Sequence, residues 1–150
     1  MRATPRSRVA EEMAGSCLMM RARLVSRVVT GMYDDELRPI GIKASQLNLL
    51  VTVAQSGPIR RSDLAKLLHL DSSTLTRNLR VMETNRWIEE VSEGSDGRGL
   101  PVCATAKGEA LVTKAAPAWK RAQRRASQLL GSAGKATLMS LSRQLLETAS

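Results

Sequence analysis

The chain has 150 residues, the span of one domain with a core of its own, and its apolar fraction of 43% excludes a disordered polyelectrolyte. Lys and Arg number 23 against 14 Asp and Glu, a formal charge of +9 with a pI near 10.6, so the partner to expect is a polyanion, nucleic acid before an anionic membrane. Two distant cysteines and one histidine exclude a disulfide framework and a zinc site.

Residues 1–9 read as a flexible basic tail. It lacks the apolar core of a signal peptide, and no later run is apolar enough to span a bilayer. The expected location is the cytoplasm, with no membrane partner. From Ala10 to Leu37, Met13, Cys17, Met20, Leu24, Val28 and Met32 recur at three- and four-residue steps, which predicts one long helix ended by Pro39 and Gly41. A second helix is expected over Gln46 to Gln55, capped by Ser45, and a short third one up to Leu68, capped by Ser62. His69 falls in the tight turn that follows, where a positive φ is expected. Asp71 or Ser72 caps a fourth helix that runs to about Asn85.

A β-hairpin comes next, Trp87 to Val91 and Leu100 to Ala104, with Pro101 marking an edge strand. Thr105 caps a fifth helix to about Leu130, with a bend expected at Pro117. A break over Gly131 to Gly134 precedes a last helix, Lys135 to Thr148. The fold class is mainly α with a small β-hairpin wing: a winged helix-turn-helix over 44–104, flanked by helices at 10–43 and 105–150. The flanking helices carry apolar faces with nothing local to bury them, which points to dimerisation.

On the fourth helix Leu75, Leu79 and Met82 share one face and Ser73, Arg77, Arg80 and Thr84 lie opposite, with Thr76 on the shoulder. Hydroxyls and guanidinia suit a major groove, where Arg takes guanine O6 and N7 together and Ser or Thr bonds bases or phosphates. The alternative for such a face is plain solvation. The wing tip, Ser95-Asp96-Gly97-Arg98-Gly99, offers one cation on a glycine-rich loop that fits a minor groove, with Asp96 bracing it. No Ser-His-Asp set, metal cluster or phosphate loop is present, so no enzymatic role and no cofactor are expected.

With these parts in place the chain resembles the MarR family of transcriptional regulators from about Ala14 to Leu146. The marks are Y-D-D-E-L-R-P-I-G-I (Tyr33 to Ile42), S-Q-L-N-L-L (Ser45 to Leu50) and D-L-A-K-L-L (Asp63 to Leu68). They continue with S-T-L-T-R-N-L (Ser73 to Leu79), D-G-R (Asp96 to Arg98) and T-A-K-G (Thr105 to Gly108). The resemblance implies a homodimer with intertwined terminal helices on a pseudo-palindromic operator in double-stranded DNA, usually as a repressor. It also implies a small-molecule effector, held between the dimerisation helices and the DNA-binding lobe. By that match Ser72, Ser73, Thr74, Thr76, Arg77 and Arg80 read the major groove, and Asp96 and Arg98 work the wing. The chain departs from the pattern at His69 and Arg86, where the family usually has glycine.

With aromatics at 2% and no Phe, an effector pocket would be lined by Met, Leu and Arg. Met20, Arg23, Arg27, Met32 and Tyr33 are the candidates, and each serves equally as core or interface. Cys17 offers the alternative of a thiol-based redox switch, although the family's peroxide-sensing position aligns with Met19. A winged-helix module that binds protein rather than DNA is the other alternative; Arg77, Arg80 and Arg98 argue against it.

Overall fold

The computed structural model describes residues 7–92 and 99–148. The tail residues 1–6 and most of the wing tip, with Asp96 and Arg98, lie outside the described residues. The architecture is the expected one, mainly helical with one two-stranded hairpin.

The first helix is not continuous. α1 (Arg8–Ser16) and α2 (Leu18–Leu37) meet at Cys17, whose backbone is extended at φ −69° and ψ 110°. Gly15 and Ser16 are weak helix formers. Arg21 then rewards the break by donating to the carbonyls of Ala14 and Gly15, two acceptors that a helix end leaves open. A single 3₁₀ turn (Arg38–Ile40) follows α2, and Gly41 takes φ 81° to leave it.

Neither expected serine cap is used. α3 (Ala44–Ser56) begins before Ser45 because Asp34 reaches over from α2 and accepts the Ala44 N–H at 2.7 Å. Gln46 Oε1 accepts the Lys43 N–H at 3.0 Å, which fixes the same end. α4 (Arg61–Leu67) starts after Arg60, so Ser62 sits inside its first turn rather than capping it. His69 turns the chain at φ 51°, as expected, and α5 (Ser72–Thr84) starts on the Asp71 cap.

β1 (Ile88–Glu90) and β2 (Val102–Ala104) pair antiparallel with Glu89 opposite Cys103, and Ile59 adds a backbone bridge to Val102. The last element, α6 (Ala106–Thr148), starts on Thr105, whose Oγ1 accepts the Gly108 N–H at 3.1 Å. Its break from helical geometry lies at Gly131 (φ 65°, ψ 178°) and not at Pro117. Helix resumes at once, so the expected four-residue gap shrinks to one residue.

The core gathers under the hairpin: Leu37, Leu49, Leu50, Val53, Leu64, Leu79, Met82 and Val102 are fully buried, with Trp87 and Ile88 beside them. Gly108 lets α6 approach, since a Cβ there would fall 2.1 Å from the Trp87 carbonyl oxygen. Farther along, Ala115, Ala118, Ala122 and Ala126 form a buried small-residue stripe on α6, which packs along α2. Among the described residues no helix is long and apolar enough to cross a membrane.

Candidate nucleic-acid interface

Leu75, Leu79 and Met82 anchor α5 in the core, and that registration turns Ser72, Ser73, Thr76, Arg77, Arg80 and Thr84 to the exterior. Thr74 is the exception among the expected reading residues: it is half-buried. The helix start is tightly built. Asp71 accepts the Ser73 hydroxyl at 2.6 Å, the Thr74 N–H at 2.8 Å and the Thr74 hydroxyl at 2.7 Å. The Ser73 hydroxyl bond, then the two from Thr74, hold the Asp71 carboxyl well below the usual range for an aspartic acid.

This capping changes what the face can do chemically. The hydroxyl protons of Ser73 and Thr74 go to Asp71, and those of Thr76 and Thr84 go to the carbonyls of Ser72 and Arg80 at 2.7 and 2.8 Å. These oxygens still accept, but they donate outward only by giving up an internal bond. The available donors are the guanidinia and, at the N-terminal end, the Ser72 hydroxyl. Arg77 is tethered loosely, at 3.4 Å to both the Ser73 carbonyl and Thr74 Oγ1, and Arg80 makes no hydrogen bond or ion pair with another described residue. Ser72 keeps an uncommitted hydroxyl at the N-terminal end among the described residues.

The far end of α5 is fastened to its neighbours. Arg86 adopts φ 57°, Lys107 Nζ donates to the Asn85 carbonyl at 2.9 Å, and Thr105 Oγ1 donates to the Arg86 carbonyl at 2.7 Å. On the other side, Arg61 Nη2 lies 2.6 Å from Glu83 Oε1 and 2.6 Å from Glu90 Oε1. Sequence reading missed this trio, because no local pattern ties residue 61 to 83 and 90.

The five expected effector residues do not come together. Arg23 and Arg27 line a shallow groove of about 420 Å³ on the outer side of α2, with Ala22 and Ser26. Met20 is exposed, while Met32 and Tyr33 are half-buried farther along the helix. Tyr33 faces inward instead, where its hydroxyl donates to Gln123 Oε1 and burial pushes its pKa up. A different cleft of about 460 Å³ lies between the end of α2, the start of α3 and the end of α5. Asp34, Arg38, Lys43, Val81, Asn85 and Trp87 border it, together with Gln46. Gln46 is 8% exposed; its Oε1 is taken by Lys43, and its Nε2 makes no hydrogen bond to another described residue. The polarity of Gln46 in an apolar helix was its only sequence signal.

Cys17 is half-buried at the junction of α1 and α2, and Cys103 is half-buried in β2. Burial first, and then the Glu89 carboxylate opposite, push the Cys103 thiol up, which favours its neutral form.

Comparison with known proteins places this geometry. A family model described as MarR family matches residues 40–99. The uncharacterized HTH-type transcriptional regulator YwoH of Bacillus subtilis (strain 168) is 26% identical over 84 residues, 56% of this chain and 61% of that protein. The multiple antibiotic resistance protein MarR of Salmonella typhimurium is 31% identical over 88 residues, 59% of this chain and 61% of that protein. The matched region thus spans about three fifths of these curated relatives. Among solved structures, a mutant MarR from E. coli complexed with operator DNA superposes with a TM-score of 0.76 at 24% identity, covering 89% of this chain and 96% of that one. A probable transcriptional regulator from Pseudomonas aeruginosa gives 0.75 at 20% identity, covering 88% and 98%. At these identities the structural likeness speaks to the fold.

Proposed function

Because the chain belongs to the MarR family, we propose that it is a cytoplasmic transcriptional regulator that binds a pseudo-palindromic operator in double-stranded DNA as a homodimer. In this reading it acts as a repressor, and a small molecule modulates its affinity. Residues 44–104 read the DNA, and 10–43 with 105–150 hold the dimer. The observation that carries the reading is α5: a capped helix, locked by Leu75, Leu79 and Met82, that presents Arg77 and Arg80 outward as available donors. An acidic or neutral face would suit a protein-binding module; this one suits guanine edges and phosphates.

The dimer is supported by what the monomer leaves uncovered. Its accessible surface of 10741 Å² exceeds the roughly 7,500 Å² of a compact monomer of this mass. Leu18, Leu24, Leu129, Leu141 and Leu145 are each more than half exposed on α2 and α6. A two-fold pairing that covers them sets the reading helices roughly 34 Å apart, one turn of DNA. The effector is better seated in the cleft beside Gln46 than among the five residues expected from sequence. A ligand there touches α2, α3 and α5 together, and it lowers DNA affinity by linkage if it fits the unbound arrangement better. The alternative trigger is oxidation of Cys17; release of DNA by peroxide that survives Cys17→Ser excludes that thiol as the sensor.

The test is selection of bound duplexes from a random library, followed by titration of the enriched sequence. Arg77→Ala is expected to cost about 1–3 kcal/mol and to relax one base position. Arg98→Ala is expected to weaken most sequences alike and flatten the salt dependence. A parent protein that enriches no duplex overturns the reading.

A further inference from the structure

We infer that Arg61 is a positioning residue that clamps the reading helix to the root of the wing, so that α5 and the hairpin meet DNA as one piece. The inference rests on the DNA-binding reading above. Its geometry is specific. Arg61 opens α4, Glu83 lies in the last turn of α5 and Glu90 ends β1, so one guanidinium nitrogen joins three elements at 2.6 Å to each carboxylate. The three side chains are only 31–43% exposed, so the network is partly shielded from solvent. Such charge-assisted contacts hold geometry better than a lone surface pair.

The surroundings show what the clamp would hold. Two residues before Arg61, Ile59 exchanges backbone hydrogen bonds with Val102 at 3.0 and 2.9 Å. Residues 59–61 therefore strap both strands of the wing, β2 through the backbone and β1 through Glu90. The corner between α5 and β1 carries Arg86 at a positive φ, and Lys107 and Thr105 fasten it only from the α6 side. Arg61 supplies the opposite side. Without it, two carboxylates would face each other beside the surface that receives phosphates.

Arg61 belongs to a basic chain, so the competing role is a phosphate contact. The two roles differ in sign. A phosphate contact adds to the salt dependence of binding, whereas a guanidinium already spent on two carboxylates adds nothing to it. Removing the carboxylates frees a phosphate-binding arginine and strengthens binding; removing them from a clamp loosens the wing and weakens it.

The experiment uses the full chain, with Arg61→Ala and the double variant Glu83→Gln/Glu90→Gln, titrated over a range of salt against the duplex that the parent selects. Amide hydrogen exchange is followed without DNA. Both variants are expected to speed exchange at Ile88–Glu90 and Val102–Ala104 while leaving Leu79 protected. Both should lose about tenfold in affinity, in line with coupling inside one ion-pair network, with the salt slope unchanged. Arg61→Ala should add no further loss in the double-variant background. A shallower salt slope for Arg61→Ala, or tighter binding by the double variant, overturns the clamp, and so does unchanged strand exchange. If Arg61→Ala does not fold, the double variant decides alone by the sign of its effect. If the parent selects no duplex, the DNA reading fails, and the exchange data still decide whether the clamp exists.

Discussion

The lobe around α5 and the helices at the chain ends are built of similar residues in opposite states. In the lobe, Leu50, Leu64 and Leu79 are 0% exposed, and the starts of α3 and α5 are capped by Asp34 and Asp71. At the ends, Leu18 is 83% exposed and Leu145 56%. Composition does not separate the two regions; geometry does. Around the lobe the elements surround each residue from several directions, whereas α1, the start of α2 and the C-terminal arm of α6 offer single faces. The lobe buries its leucines as a monomer, whereas the ends leave apolar faces uncovered. In the proposed dimer, one part would define what is read and the other how two copies are spaced.

The largest expected effect breaks the second part alone. Leu141→Glu with Leu145→Glu should turn a dimer into a monomer, forfeiting about 1.5–3 kcal/mol for each leucine no longer buried. Sedimentation reads the change, and the lobe's hairpin and α5 amides should stay protected. A variant that remains dimeric would place the interface elsewhere. Leu79→Ala does the reverse. It empties a fully buried site beneath the reading helix, and it should destabilise by about 2–5 kcal/mol in urea titration at any protein concentration. A loss that vanishes at high concentration would mean that the lobe, too, leans on a partner.

How much was legible follows the same division. Periodicity located α5 and its inward Leu75, Leu79 and Met82, and narrowed its cap to Asp71 or Ser72, because these depend on neighbours within a few residues. The positive φ at His69 was readable from the tight turn between two apolar helices. What escaped depends on distant chain. Ser45 and Ser62 looked like caps, but Asp34 captures the first N–H of α3 across ten residues, and α4 starts ahead of Ser62. The break at Cys17 rests on Arg21 folding back, and the Arg61 trio spans three elements. The expected effector residues are split because helical spacing puts Met20, Arg23 and Arg27 on one side of α2 and Tyr33 on another, against Gln123.

A smaller effect sharpens the boundary between the lobe and α6. Arg86 occupies φ 57° at the corner after α5, and its own carbonyl is held by Thr105. A side chain costs energy there that glycine avoids, partly offset by the greater freedom of glycine in the unfolded chain. Arg86→Gly should therefore stabilise by about 0.5–1 kcal/mol in urea titration, and DNA affinity should stay close to the parent. Destabilisation would show that the arginine side chain contributes more than its backbone strain removes.

The smallest effect lies within the flanking helices, where α2 meets α6. Glu36 on α2 accepts from Arg121 Nε at 2.7 Å and from Arg125 Nη1 at 3.2 Å on α6. Arg121, more than Arg125, holds the carboxyl below its ordinary value of 4.5, against a burial that pushes it up. A folded-state value below the unfolded one means that the pair contributes stability in full above the ordinary value and loses it as pH falls through the lowered one. Comparing the melting temperatures of the parent and Glu36→Gln from neutral pH downward isolates this contribution. The variant should melt slightly lower at neutral pH, and the gap should close as pH falls below 4.5. It should also narrow in high salt, because both arginines are about half exposed. A gap unchanged by acid and salt would assign the role of Glu36 to packing, and the contact of α2 with α6 would then be held by the alanine stripe of α6 rather than by charge.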